Sequence, residues 1–200
     1  MATSRKVVVV GGGALGSHFI QAARNWSNLE GGVTITLIDF DRVETKNIAS
    51  QFHSNMTRGK NKALGLKTML QGLFGVSIDA VPHKLTKDNV EALLGGSALV
   101  VDCTDNGEAR VVIQTFVREN KIACLHGALS ADGSCGRAVW DDLFKIDHES
   151  APGLATCENS QNVPFHIVAG AWLAVVGLRF LTLGEKRSYQ ILPTGMQYLG

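Results

Sequence analysis

The stretch KVVVVGGGALGSHFIQAARNW, residues 6–26, constrains the fold more than any other part of the chain. An unbroken run of valines does not alternate between core and solvent, so it predicts a strand buried on both faces, the kind found in parallel sheets. The glycines after it permit a tight turn, and the residues beyond them read as a helix. A strand covered on both faces needs helices on both sides. This points to an α/β, Rossmann-like, doubly wound and mostly parallel sheet, with ligands at the carboxyl ends of its strands.

The rest of the chain keeps the same alternation. VTITLID (33–39), VSIDAVP (76–82), SALVVDC (97–103) and KIACLHG (121–127) read as strands. Helices are expected from Lys60 to about Leu73, over KDNVEALL (87–94) and over ARVVIQTFVREN (109–120). A long, mostly buried C-terminal helix over 164–184 is followed by a returning strand at YQILP, 189–193. Residues 126–162 read as irregular, a mobile crossover. With no repeat or linker, residues 1–200 are expected to form one nucleotide-binding domain.

Composition narrows the function classes. A formal charge of +1 without a basic cluster gives no reason to expect nucleic acid as a partner. The apolar stretch between His166 and Arg179 falls short of the roughly 20 residues needed to span a bilayer, so no membrane role is expected. The start MATSRK runs directly into a strand, which makes the cytoplasm the expected location. The four cysteines, Cys103, Cys124, Cys135 and Cys157, form no C-x-x-C pair, and a zinc site is not expected. His126, His148 and His166 show no ligand spacing and read as structural or surface residues.

Gly11, Gly13 and Gly16, with Gly12, Ala14 and Leu15 between them, satisfy G-x-G-x-x-G after a strand and at the start of a helix. Backbone N–H groups and the helix dipole can there approach a phosphate. Alone, the motif says "nucleotide", most often a dinucleotide. Asp39 ends the second strand, where an acid hydrogen-bonds ribose; an ordinary strand-end carboxylate is the alternative. Asp41, Asn47, Gln51, Lys62 and Asp105 around the same strand ends exceed what a dinucleotide requires. A triphosphate with Mg²⁺ accounts for them, since lysine brings a point charge to phosphate and a hard carboxylate suits magnesium. Taken singly, Lys62 could be a solvated surface lysine and Asp105 a helix cap.

GGGALG, LIDFDRVETKNIASQ, GKNKA and DCTDN, in that order, resemble the ThiF/MoeB family of ubiquitin-activating, E1-like adenylyltransferases, and the resemblance runs from Lys6 to about Leu183. It implies ATP·Mg²⁺ as cofactor and adenylation of the C-terminal carboxylate of a ubiquitin-like or sulfur-carrier protein, or of a peptide. It also implies a homo- or heterodimer. By the same resemblance Gly11, Gly13, Ala14, Leu15 and Gly16 meet phosphate and Asp39 the ribose. Asp41, Asn47 and Gln51 form a polar edge, Lys62 is the phosphate lysine, and Asp105 is the residue associated with Mg²⁺ and the reacting phosphate.

The chain also departs from the family pattern. The family reads N-x-x-R-Q where this chain has NIASQ, with Ser50 at the arginine position. A second arginine usually comes from an N-terminal helix, and only MATSR precedes the first strand. Arg5 stands at the wrong end of that strand, roughly 16 Å from the ligand face at about 3.3 Å per residue. Arg58 and Lys60 could compensate locally. Cys157 precedes the long helix at the spacing where several relatives form a thioester or persulfide, and an incidental loop cysteine is the competing reading. Two further functions therefore compete with adenylation: a weak or inactive ATP-binding subunit working with a partner chain, and an NAD-dependent oxidoreductase.

Overall fold

A computed structural model of the protein describes residues 4–130, 134–146 and 163–200. Its centre is one eight-stranded sheet in the order β3-β2-β1-β4-β5-β6-β7-β8. The first five strands are parallel: β1 (Arg5–Val10), β2 (Val33–Ile38), β3 (Asp79–Val81), β4 (Leu99–Asp102) and β5 (Cys124–Leu129). The last three pair antiparallel: β6 (Gly136–Trp140), β7 (Tyr189–Leu192) and β8 (Gly195–Tyr198).

The valines of β1 explain the layers. Val7 and Val9 pack into one core with α1 (Ala14–Ala23), α2 (Lys62–Phe74) and α5 (Val163–Leu183). Val8 and Val10 face the other core, closed by α3 (Val90–Leu94) and α4 (Gly107–Glu119). Each valine is therefore buried whichever way it points. Strand order reverses between β1, which continues outward to β2 and β3, and β4, which continues the opposite way to β5. The carboxyl ends of β1 and β4 thus flank the crevice where doubly wound sheets take their ligands.

α1 and α5 cross closely because Gly170 has no side chain. A Cβ there would lie 2.5 Å from the Cβ of His18 and 3.0 Å from the carbonyl oxygen of Leu15. α5 is long and apolar enough, by length and composition, to cross a membrane, although His166 and Arg179 interrupt it. Here it packs Phe165, Ala169, Leu173 and Val176 into the core beside α1.

Part of the stretch expected to be irregular is sheet. β5 continues to Leu129 and pairs with β6, from Leu125↔Trp140 to Leu129↔Gly136. GRAVW lacks a long β-branched run; what makes it a strand is its partner, with Ala138 and Trp140 buried and Arg137 outward. β8 is a further strand that local pattern does not announce: GMQY becomes one by pairing with β7, from Tyr189↔Tyr198 to Leu192↔Gly195. Cys157 and His148 lie outside the described residues.

Candidate active site

The glycine turn is shaped by what it touches. Gly11 has φ +96°, and a Cβ on it would sit 2.8 Å from the carbonyl oxygen of Cys103. The turn after β1 and the turn after β4 therefore press directly on each other. Gly16 meets the carbonyl of Gly11 so closely that a Cβ would overlap it at 1.8 Å. Among the described residues the space over Gly13 is open, with Gln51 Nε2 at 4.0 Å from a hypothetical Cβ. Among the described residues no side chain caps α1, so its first N–H groups face this opening without a side-chain acceptor there.

Asp39 is buried, and its carboxylate fixes the turn: Gly12 N donates to Oδ2 at 2.6 Å and Asp41 N to Oδ1 at 2.8 Å. Burial raises its pKa above the ordinary 3.8, and the nearby Lys62 charge and the two backbone bonds partly offset this. Each oxygen keeps a second acceptor position. Asp39 thus joins the ends of β1 and β2 as well as facing the crevice.

Lys62 is the first residue of α2, and its Nζ lies 3.1 Å from Asp41 Oδ2. The Lys62 side chain is 10% exposed and that of Asp41 51%. Asn61 caps the helix by accepting from Leu64 N, while its amide donates to the carbonyls of Asp39 and Asp41. This sequence-local device presses the start of α2 against the end of β2 and sets the lysine inside the crevice.

Asn47 is buried and its Oδ1 accepts from Glu44 N at 2.9 Å, so its side chain closes a one-turn 3₁₀ helix. Gln51 is buried beside the glycine turn, and its Oε1 has no partner among the described residues. Asp105 stands apart from these groups, exposed on the turn between β4 and α4. That turn approaches the glycine turn through Cys103, whose N–H donates to the carbonyl of Val10 at 2.8 Å.

The residues present fit a triphosphate and a magnesium ion that arrives with it. Mg²⁺ normally takes one or two carboxylates and completes its shell with phosphate and water. Among the described residues no group of three or more His, Cys, Asp and Glu could hold a resident metal. Among the described residues, Gln51 Oε1 and the first N–H groups of α1 have no side-chain partner, so the turn offers polar groups to a ligand.

A family model, that of the ThiF family, matches residues 2–178. The chain belongs to the ThiF family. It is 32% identical over 151 residues to the SAMP-activating enzyme E1 of Haloferax volcanii, covering 70% of this chain and 54% of that protein. It is 33% identical over 125 residues to the molybdopterin-synthase adenylyltransferase of Salmonella typhimurium, covering 62% of this chain and 49% of that one. The chain thus spans about half the length of the curated relatives it matches. The fold is that of Escherichia coli MccB, solved with AMPCPP and MccA, at TM-score 0.72 and 15% identity over 98% of this chain and 62% of that chain. PaaA has a similar fold, at TM-score 0.70 and 17% identity over 98% of this chain and 62% of its own.

Two features of this ThiF-family site could not be read from the motifs. Ser50 is 1% exposed, and its carbonyl faces His18 Nε2 at 3.2 Å. His53 reaches the glycine turn itself, with Nε2 3.2 Å from the carbonyl oxygen of Gly12 and Nδ1 without a partner among the described residues. Burial is the main cause that lowers the pKa of His53 to about 4, and it also lowers that of His18. The signal was their position, one on the buried side of α1 and one two residues after Gln51. Cys103 and Cys124 are poor nucleophiles, because burial holds both thiols above their ordinary pKa. Arg58 and Lys60 are exposed, and Arg5 is held at the opposite end of the sheet by the carbonyls of Leu181 and Glu30.

Proposed function

We propose that this chain is an ATP-dependent adenylyltransferase that activates the C-terminal carboxylate of a ubiquitin-like or sulfur-carrier protein, or of a peptide. One observation carries the reading. The glycine turn, Asp39 and Lys62 meet at the ends of β1 and β2, directly across the β1/β4 switch point from the turn bearing Asp105. The relatives named adenylyltransferases support the same class.

In this mechanism the turn and the first N–H groups of α1 receive phosphate, and Asp39 accepts the ribose hydroxyls on its remaining acceptor positions. Lys62 turns from Asp41 to phosphate. Mg²⁺, when bound, neutralises charge on the phosphates. The carrier's carboxylate oxygen attacks the α-phosphorus, the bond to the β-phosphate oxygen breaks, and pyrophosphate leaves. The attacking group is already ionised at neutral pH, so no general base is required. Catalysis rests on positioning and on charge stabilisation in the crevice. Asp105 would be the carboxylate that holds the metal, and Cys157 is the candidate acceptor thiol.

ATP–pyrophosphate exchange with candidate carrier proteins tests this reading. Exchange that depends on a carrier with a free C-terminus, and that vanishes in Lys62→Ala, is the expected result. Tight NAD binding with none for ATP would overturn it.

A second reading rests on Ser50. The chain offers few cations in cis to balance a triphosphate, so either a second chain, identical or different, contributes an arginine, or the isolated protein binds ATP and turns over slowly. Exchange that appears only on adding another subunit supports the first form.

A further inference from the structure

On the α4 side of the sheet lies a buried ionic array built around a histidine that the motifs do not include. His126 is fully buried on β5 and stands in register beside Asp102, the last residue of β4. Its Nδ1 is 2.8 Å from Asp102 Oδ2 and its Nε2 3.1 Å from Asp141 Oδ1. With a carboxylate at each nitrogen, the ring satisfies both only by donating twice, as an imidazolium. The ring of Phe144 stacks on it at 4.0 Å and 5°. Arg118 Nε and Gln114 Nε2, both on α4, hold Asp141 at 2.7 and 3.0 Å.

The array leads to the turn that carries Asp105. Asp102 Oδ1 accepts from both Thr104 N at 2.9 Å and Thr104 Oγ1 at 2.7 Å. Arg110 Nη2 donates to the carbonyl of Thr104 at 2.6 Å, and its Nε lies 3.7 Å from Asp102 Oδ2. Thr104 is thus held through its N–H, its hydroxyl and its carbonyl, and the next residue is Asp105. A buried ion pair is weak evidence for stability, because apolar side chains of similar volume often serve as well. An array whose bonds converge on one exposed turn calls for another account.

We infer that His126 is a positioning residue: through Asp102 and Thr104 it fixes the turn that presents Asp105 to a nucleotide-bound divalent cation. This deepens the adenylation reading and rests on it for the role of Asp105. A loose turn would let the carboxylate leave the metal, while the glycine turn, Asp39 and Lys62 would still bind the nucleotide.

The test is a double-mutant cycle on nucleotide binding. Calorimetry with AMPCPP, with and without Mg²⁺, gives the gain in affinity that the metal provides. Asp105→Asn should abolish most of that gain. His126→Gln should reduce it on the order of tenfold, the usual cost of removing a group that orients a metal ligand, and leave metal-free affinity unchanged. The double variant should match Asp105→Asn alone, because the two residues act in series. Thr104→Val, which keeps the buried array and deletes one link, should show a smaller loss of the same kind.

The inference is overturned if Thr104→Val keeps the full Mg²⁺-dependent gain, if the losses multiply in the double variant, or if the wild type shows no such gain. A wild type that shows the gain and the cycle but no pyrophosphate exchange with any carrier would sink the adenylation reading alone.

Discussion

Asp39 ties down the turn and is the proposed ribose ligand, and its replacement separates the two. Asp39→Ala removes the acceptor from two backbone N–H groups, and a buried donor left without a partner costs about 1–3 kcal/mol. A ribose contact alone, worth about 0.5–1.5 kcal/mol, would weaken ATP binding about tenfold or less. The expected outcome is therefore a lower melting temperature together with a loss of ATP affinity beyond tenfold, read by thermal unfolding and calorimetry. Unchanged stability would return Asp39 to a ribose ligand only. Ser50 gives the second prediction at this scale. It is 1% exposed, so an arginine built there must displace packed neighbours, at about 1–3 kcal/mol for overpacking. Ser50→Arg should lower stability in urea melts and leave exchange no faster, even though the resemblance implies an arginine at this position.

Elements were legible where one stretch of chain contains its own reason. The valines of β1 report burial on both faces, and Asn61 with Lys62 reports the start of α2 at the expected strand end. β6 was not legible, since GRAVW becomes a strand through its pairing with β5. The site divides in the same way. The glycine turn, Asp39, Lys62 and Asp105 are motif positions. His53 beneath Gly12 and His126 beside Asp102 depend on contacts across 41 and 24 residues of chain, which no local pattern records. The α1/α5 crossing yields the prediction proper to this scale. Gly170→Ala should gain about 1 kcal/mol from helix propensity. Its Cβ would however fall 2.5 Å from that of His18, and separating two packed helices costs about 1–3 kcal/mol. The second effect is the larger. Urea unfolding should show net destabilisation, with weakened ATP binding because α1 carries the proposed phosphate end of the site. A stabilised Gly170→Ala would show that the crossing relaxes freely.

Across the whole molecule the buried histidines set opposite limits on pH. Burial lowers the pKa of His18, His53 and His166, with His53 brought to about 4 from the ordinary 6.5. The unfolded chain binds protons at these sites first as pH falls below about 6.5, so stability declines from there towards pH 4. Burial acts on His126 in the same direction, but its bonds to Asp102, Asp141 and Cys124 outweigh it and raise its pKa to about 11 from 6.5. In that case the folded state holds the proton more tightly. The contribution is complete below about pH 6.5 and is lost as pH rises towards 11. Asp141 opposes burial through His126, Arg118 and Gln114 and reaches about 2, so its share fails only below the ordinary 3.8. Asp39, raised by burial, acts in the opposite sense in the acid range and softens that limb. Stability should therefore peak near pH 6.5 and fall on both sides, as measured by urea midpoints from pH 4 to 10. His53→Gln should flatten the acid limb, and His126→Gln the alkaline limb at a lower overall stability. A midpoint that still climbs between pH 7 and 9 would mean that the bonds around His126 do not hold an imidazolium, and would remove the electrostatic basis for its grip on Asp102.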